Sequence, residues 1–360
     1  MSSPGTILVV TDRPDHGHSL KGAVERIADC RIVVTTQPWW LTGPVLGVIV
    51  NVKLSRPQSH ACLTWLKQQL GPQPPPALFL TEDTTSAALR EARAFGAAAC
   101  LPVYTEPRVA VAALARLVYP HDTVTDLIVG RGVARAGRLL EDMFHTAEAG
   151  AVNIAAVEDA LEPVLNAIQE GGLTRWLDVV WEHDDTTFQH CLLVAGLTTA
   201  FSQSLGLSRT DQHQMARGAL VHDVGKAQIP LAILNKPGKL EADEMAVMRT
   251  HAALGYGILK SSGNCDPVAL AVTRHHHEML DGSGYPDRLS SDAIADPIRL
   301  LTICDIYAAL IERRPYKAPY SSADAMRVLE GMGGKLEGAL VQAFGKAVAS
   351  PSGSPSRAVA

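Results

Sequence analysis

A histidine followed at once by an aspartate, His222-Asp223, opens the stretch on which this chain's chemistry turns: Val221-His222-Asp223-Val224-Gly225-Lys226. The pair offers an imidazole nitrogen and a carboxylate oxygen to the same place, a donor set that suits a borderline divalent ion such as iron, manganese or zinc. Alone it is a weak signal, because adjacent His-Asp also serves as a hydrogen-bonded pair at helix ends. Its neighbours strengthen it. His190 lies upstream in an apolar run, His251 lies downstream, then come His275-His276-His277-Glu278 and, last, Asp305 within Ile303-Cys304-Asp305-Ile306-Tyr307. Several of these sit inside apolar helical patterns, where an unpaired polar group costs on the order of several kcal/mol. A shared metal centre offsets that cost.

The same residues carry a family resemblance. His222-Asp223-Val224-Gly225-Lys226, Ile229-Pro230, Ile233 to Leu240, His251, His276-His277-Glu278 with Asp281-Gly282-Ser283-Gly284-Tyr285-Pro286, and Arg314-Pro315-Tyr316-Lys317 follow one another in the order and spacing of the HD-GYP domain, a branch of the HD phosphohydrolases. The resemblance runs from about His190 to about Phe344, slightly under half of the chain. It implies an all-α catalytic domain and hydrolysis of the bacterial messenger cyclic di-GMP.

By that resemblance His190, His222, Asp223, His251, His276, His277 and Asp305 are the metal ligands, with Asp223 bridging two divalent ions, iron or manganese. Such a pair, about 3.5–4 Å apart, lowers the pKa of water and neutralises charge on a phosphodiester. Asp223 and Lys226 are the catalytic residues, Lys226 placed one helical turn after His222 to add positive charge at the phosphoryl group; a solvated cation at a helix end is its plainer reading. Gly284, Tyr285 and Pro286 shape the substrate groove and contact a diguanylate cyclase partner, although the same residues also read as a tight turn. Arg314 and Lys317 grip phosphates or guanine edges, with a surface basic cluster as the alternative. Glu278 is expected to orient a ligand histidine, and His16, His18, His60, His121 and His145 to lie on the surface.

Three departures stand out. Thr186 occupies the position where relatives with a third metal have a glutamate, so a dinuclear centre is expected. Ala308 replaces a common aspartate, and Arg288 a common glycine.

The elements that must position these residues can be read from patterning. The chain of 360 residues, 47% hydrophobic, has room for two or three domains. Its net charge of −5 argues against a DNA-coating surface. Six scattered cysteines suit a reducing compartment. No basic segment with a long apolar core opens the sequence, and no apolar run is long enough for a membrane span; a cytoplasmic protein is expected.

Residues 1–118 alternate strand and helix. Strands are expected at Ile7 to Val10, Val45 to Val52, Ala77 to Leu80 and near Ala98 to Leu101, with helices at 17–29, Ser59 to Leu70, Ser86 to Phe95 and up to Val118, which implies an α/β parallel sheet. The layout resembles a response-regulator receiver domain, but one in which Thr11 replaces half of the acidic pair beside Asp12, Asn51 stands for the phosphoacceptor, Val103 for the lysine, and Thr81 alone keeps the switch hydroxyl. An amide cannot accept a phosphoryl group as a carboxylate does, so a degenerate pseudo-receiver used for docking or homodimerisation is expected; an unrelated small α/β domain is the alternative.

Residues 119–180 read as helical, either a signalling linker or opening helices of the next domain, with Gly171-Gly172 as a break. The catalytic domain is assigned to 181–348 and a disordered tail to 349–360.

Three functions compete. The first is a metal-dependent cyclic di-GMP phosphodiesterase yielding linear pGpG, with GMP as a further product, in bacterial signalling. The second is an HD phosphohydrolase of another nucleotide, and the third a non-catalytic cyclic-dinucleotide-binding or scaffold protein. Retention of the whole ligand set with Lys226 favours the first.

Overall fold

The computed structural model describes residues 5–182, 186–313 and 318–349. The chain divides into two compact units, with the boundary between Arg131 and Gly132.

In the first unit β1 (Thr6–Thr11), α1 (Pro14–Val24), β2 (Asp29–Val34), β3 (Val45–Asn51), α2 (Pro57–Leu70), β4 (Ala77–Thr81), α3 (Ser86–Ala94), β5 (Ala97–Pro102) and α4 (Pro107–Val118) follow in order. All five strands are parallel, in the order β2-β1-β3-β4-β5. This is the flavodoxin-like doubly wound order. Side chains alternate along each strand. Ile7, Val9, Ile49, Leu78 and Leu80 therefore pack under α1 and α4, while Leu8, Val10, Val48, Val50 and Phe79 pack under α2 and α3.

One feature differs from the pattern-based expectation. Strand β2 occupies residues 29–34, where a helix to residue 29 and no strand were expected, because an edge strand that opens with Asp29-Cys30-Arg31 leaves only the short aliphatic run Ile32-Val33-Val34 as a signal. The connection from β2 to β3 has no helix. Pro38, Gly43 and Pro44 prevent one, and Trp39 packs against Trp65, with ring centroids 5.7 Å apart, on the face a helix would cover.

The second unit is helical. Helix α5 (Val124–Glu148) carries the unit boundary within it; α6 (Ile154–Val180) is interrupted at Gly172, whose φ of 75° and ψ of 168° are not helical. Then come α7 (Thr186–Ser204), α8 (Arg209–Val221), α9 (Leu231–Leu234), α10 (Ala242–Met248), α11 (His251–Ser261), α12 (Pro267–His275), α13 (Asp296–Ile311), α14 (Ser322–Gly331) and α15 (Gly338–Ala349). Of the tail expected at 349–360, Ala349 ends α15, and residues 350–360 lie outside the described residues. Local chemistry sets the ends that matter. Ser208 caps α8 by accepting from Asp211 N at 3.2 Å, and Asp266 caps α12 by accepting from Val268 N at 2.8 Å. Cys191 to Ala195 of α7 and Leu300, Leu301, Ile303 and Cys304 of α13 are buried, which packs these helices as the walls of the candidate site. Among the described residues no helix is long and apolar enough to cross a membrane.

Candidate metal centre

Helix α8 stops at Val221, and His222 and Asp223 emerge at its C-terminal end into a 3-10 turn over Val224–Gln228. Lys226 therefore lies in that turn and not on a continued helix, as its spacing from His222 had implied. Gly225 makes the turn possible. A Cβ there would stand 1.9 Å from the carbonyl oxygen of His251, so only glycine lets the turn seat against α11.

The structure brings His190, His222, Asp223, His251, His276, His277 and Asp305 together. Two ligand groups result: His190, His222 and Asp305 form one, His251, His276 and His277 the other, each with its ligand atoms within 4.8 Å of one another. Asp223 spans them. Its Oδ1 lies 3.3 Å from His251 Nε2 and 3.8 Å from His276 Nε2, while its Oδ2 lies 3.3 Å from His222 Nε2 and 3.6 Å from His190 Nε2. Asp305 spans them too, with Oδ1 2.9 Å from His190 Nε2 and Oδ2 3.7 Å from His277 Nδ1. Cys191 lies in a third group with His222 and Asp223, a neighbour that pattern reading passed over because a cysteine in an apolar helix looks like core.

Hydrogen bonds at the far side of the rings fix the tautomers. His222 Nδ1 faces Ala219 O at 2.8 Å, His251 Nδ1 faces Met248 O at 2.7 Å, and His276 Nδ1 faces Thr273 O at 3.1 Å. A carbonyl only accepts, so each Nδ1 is assigned the proton and each Nε2 a lone pair directed inward. His251 Nε2 and His276 Nε2 then face each other 3.3 Å apart with no proton between them. Burial holds both rings below the ordinary histidine range, so neither charges to relieve the contact. His222 Nε2 and Asp223 Oδ1 are buried without a hydrogen-bond partner. Opposed lone pairs and an orphaned carboxylate oxygen are unfavourable in a protein interior and favourable around a cation. The donor set fits divalent metal ions.

The other charges agree. Burial would raise Asp223, but Lys226 and His222 outweigh it and hold the carboxyl well below its ordinary range; Asp305 is likewise held low, burial being outweighed by its bond to His190 and by His277. Burial pushes His277 down to about 3, partly offset by Asp305. His222 moves the other way, burial being outweighed by Asp223 and Asp305, which raise it. His251, His276 and His277 are thus neutral imidazoles and Asp223 and Asp305 ionised carboxylates at neutral pH, the forms that bind metal. Lys226 Nζ donates to Asp223 Oδ2 at 2.6 Å.

The Gly284-Tyr285-Pro286 segment lies against this cluster. A Cβ at Gly284 would meet the Cα of Glu278 and the carbonyl oxygen of His277, each at 2.5 Å, so the loop packs directly on the backbone of the histidine pair. Tyr285 N donates to His277 O at 3.2 Å, and its ring centroid is 4.7 Å from that of His277. Arg249, exposed, covers the tyrosine ring at 5.2 Å. Glu278 differs from expectation. It orients no ligand histidine: its carboxylate accepts from Asp287 N at 2.7 Å and Leu289 N at 3.0 Å, pinning the loop from behind. Asp287 in turn accepts from Arg274 and from His275 Nε2. Arg314 and Lys317 lie outside the described residues, as do Asp184 and Asp185; Thr186 begins α7.

The sheet end of the first unit has another arrangement. Asp12 accepts from Lys53 N at 3.1 Å and from the Arg56 guanidinium at 2.9 Å, Asn51 pairs with His16 Nδ1 at 2.5 Å, and Glu82 pairs with Arg13 and Lys53. His16 is consequently a partner of Asn51 and not a bystander on the surface. Thr81 Oγ1 bonds Leu101 O at 3.5 Å, and Val103 follows β5.

Comparison with known proteins bears on the second unit. Residues 165–340 match the family described as the HD domain. A cyclic di-GMP phosphodiesterase of Pseudomonas aeruginosa is 31% identical over 217 residues, 60% of this chain and 52% of that protein. A cyclic di-GMP phosphodiesterase response regulator of Xanthomonas campestris is 34% identical over 207 residues, 57% and 50% respectively. A 3'3'-cGAMP-specific phosphodiesterase of Vibrio cholerae is 37% identical over 150 residues, 41% and 29%. The chain spans about half the length of the first two curated relatives. Among solved structures, an HDG"Y"P protein from Bdellovibrio bacteriovorus shares the fold with a TM-score of 0.51 at 20% identity, over 73% of this chain and 81% of that one.

Proposed function

We propose, from the premise that residues 165–340 of this chain form an HD domain, that the second unit is a metal-dependent phosphodiesterase that opens cyclic di-GMP to pGpG. The observation that carries the reading is the pair of inward lone pairs on His251 and His276, flanked by two carboxylates that each span both ligand groups. Seven side chains so disposed have no use in a protein that merely folds.

His190, His222 and Asp305 would hold one divalent ion, His251, His276 and His277 the other, and Asp223 would bridge them through its two oxygens. When bound, iron or manganese ions supply Lewis acidity that favours attack of water on a phosphodiester. The protein's own side chains do the rest. Lys226, held at 2.6 Å on Asp223, keeps a positive charge beside the bridging carboxylate and is placed to neutralise a phosphoryl oxygen. Tyr285, between Arg249 and His277, offers an aromatic wall at the mouth of the site, and Gly284 brings backbone close enough to shape the groove. Arg314 and Lys317 remain proposed contacts to the nucleotide. The Gly-Tyr-Pro loop remains the proposed face for a diguanylate cyclase, and hydrolysis of pGpG to GMP a proposed second step.

We assign a pseudo-receiver domain, proposed to span residues 1–118 of the first unit, to docking, homodimerisation through it being the simplest use, because the carboxylate of Asp12 is neutralised by Arg56 and Asn51 offers no nucleophilic oxygen. Residues 119–180 are proposed to link it to a catalytic segment of 181–348, in a cytoplasmic signalling protein.

A second substrate has a specific observation behind it, the Vibrio cholerae relative named as specific for 3'3'-cGAMP. The test is turnover of cyclic di-GMP and 3'3'-cGAMP by protein purified without oxygen and supplied with ferrous or manganous ion, with Asp223→Ala as control and products separated by chromatography. Linear pGpG formed only by the intact protein is the expected result. Metal uptake without hydrolysis of either compound would overturn the enzyme reading in favour of a binding protein.

A further inference from the structure

We infer that Glu312 is a positioning residue for the metal centre, acting through His190. The inference rests on the metal-centre reading above. Three of the ligand histidines anchor the nitrogen remote from the site on a carbonyl of the turn before: His222 on Ala219, His251 on Met248, His276 on Thr273. His190 does not. Its Nε2 faces Asp305 at 2.9 Å, and its Nδ1 is buried without a hydrogen-bond partner. The group facing that nitrogen is the carboxylate of Glu312, with Oε2 at 3.8 Å, immediately after the last turn of α13.

The glutamate is only 4% exposed and stands just past the C-terminal end of α13. With Nε2 turned to a cation, the proton of the His190 ring sits on Nδ1, opposite this carboxylate. The gap exceeds a hydrogen bond by roughly 1 Å, a distance a ring rotation covers once Nε2 is drawn toward a cation. A carboxylate behind a ligand imidazole fixes the tautomer and makes the ligating nitrogen more basic, which a backbone carbonyl does less strongly. Glu312 thereby does for His190 what the carbonyls do for the other three, and with a full charge.

The test uses the full chain stripped of metal and titrated with Mn²⁺ against a competing chromophoric chelator, together with thermal melting of the metal-free proteins. Glu312→Gln keeps the shape and removes the charge; it is expected to weaken one of two Mn²⁺ sites about 10-fold, and Glu312→Ala up to about 100-fold, with metal-free melting of the Gln variant unchanged. Wild-type affinity at both sites in Glu312→Gln would overturn the role, as would a loss of affinity matched by a lowered metal-free melting temperature. If Glu312→Ala fails to fold, the Gln variant decides. Absence of Mn²⁺ binding in the unsubstituted protein would instead remove the metal-centre reading itself.

Discussion

The two units each gather acidic and basic side chains at the ends of their elements, and they solve the resulting electrostatic problem in opposite ways. In the first, one oxygen of Asp12 is met by Arg56 and by a backbone amide, the other has no hydrogen-bond partner but lies 3.9 Å from the Arg13 guanidinium, and Asn51 is met by His16, so the charge at the sheet end is balanced by cations of its own chain. In the second, Lys226 meets one oxygen of Asp223, but the His222 and His251 nitrogens that face this carboxylate have their protons committed elsewhere, and a cation from outside completes the balance. A site is therefore recognised less by its acids than by where the opposing protons are. Lone pairs turned inward mark a place for a ligand; guanidinium groups turned inward mark a place that has been filled.

The sharpest way to break this contrast is Asp223→Ala. It removes the carboxylate that faces four of the ligand histidines across both groups, and hydrolysis of cyclic di-GMP should fall by well over about 100-fold, since loss of outer partners alone costs about 10–100-fold; residual turnover near wild type would refute the bridging role. Next is Gly225→Ala, whose methyl group would collide with the backbone of α11. It should cost about 3 kcal/mol or more in chemical denaturation and detach His222 and Asp223 from His251.

Glu278→Ala has a smaller expected effect, about 2 kcal/mol, from the loss of two charge-assisted bonds to the loop. It should raise KM for the dinucleotide more than it lowers kcat, measurable in steady-state assays; an unchanged KM would argue against a groove-shaping loop.

The histidines also predict a pH dependence. His277 is held at about 3 in the folded, metal-free protein against an ordinary 6.5, chiefly by burial. Between those values the unfolded chain binds a proton that the folded one refuses, so stability rises with pH across the window. The contribution is fully present above 6.5 and is lost as pH falls toward 3. Denaturant titrations of chelator-treated protein at several pH values should show that slope, and His277→Ala should flatten it. Smallest of all is Arg56→Ala, expected to change stability by no more than about 1 kcal/mol because the guanidinium is half-exposed, and to leave turnover unchanged. Incubation with acetyl phosphate and magnesium should leave the intact mass of the protein unaltered. A phosphorylated first unit would erase the contrast.

Much of this arrangement was legible in the residues. Apolar runs such as Ile7 to Val10 announce buried parallel strands, and histidines within apolar helices announce a cluster, because each is locally costly unless a particular tertiary use repays it. The missed pieces share a cause. Strand β2 is an edge whose polar residues imitate a loop, and Glu278 sits among histidines but bonds to a loop nine residues on. Nothing in the spacing of Glu312 joins it to His190, 122 positions earlier, until α13 is laid beside α7.

The sequence by itself determined the kinds of donor present and their order along the helices, because residue type and period are local properties. Only the tertiary structure decided which nitrogen of each histidine points inward, that Asp223 and Asp305 each span both groups, that Lys226 lies in a tight turn, and that Glu312 stands behind His190. Those depend on hydrogen bonds and contacts between residues far apart in the chain, whose geometry exists only once the helices have packed.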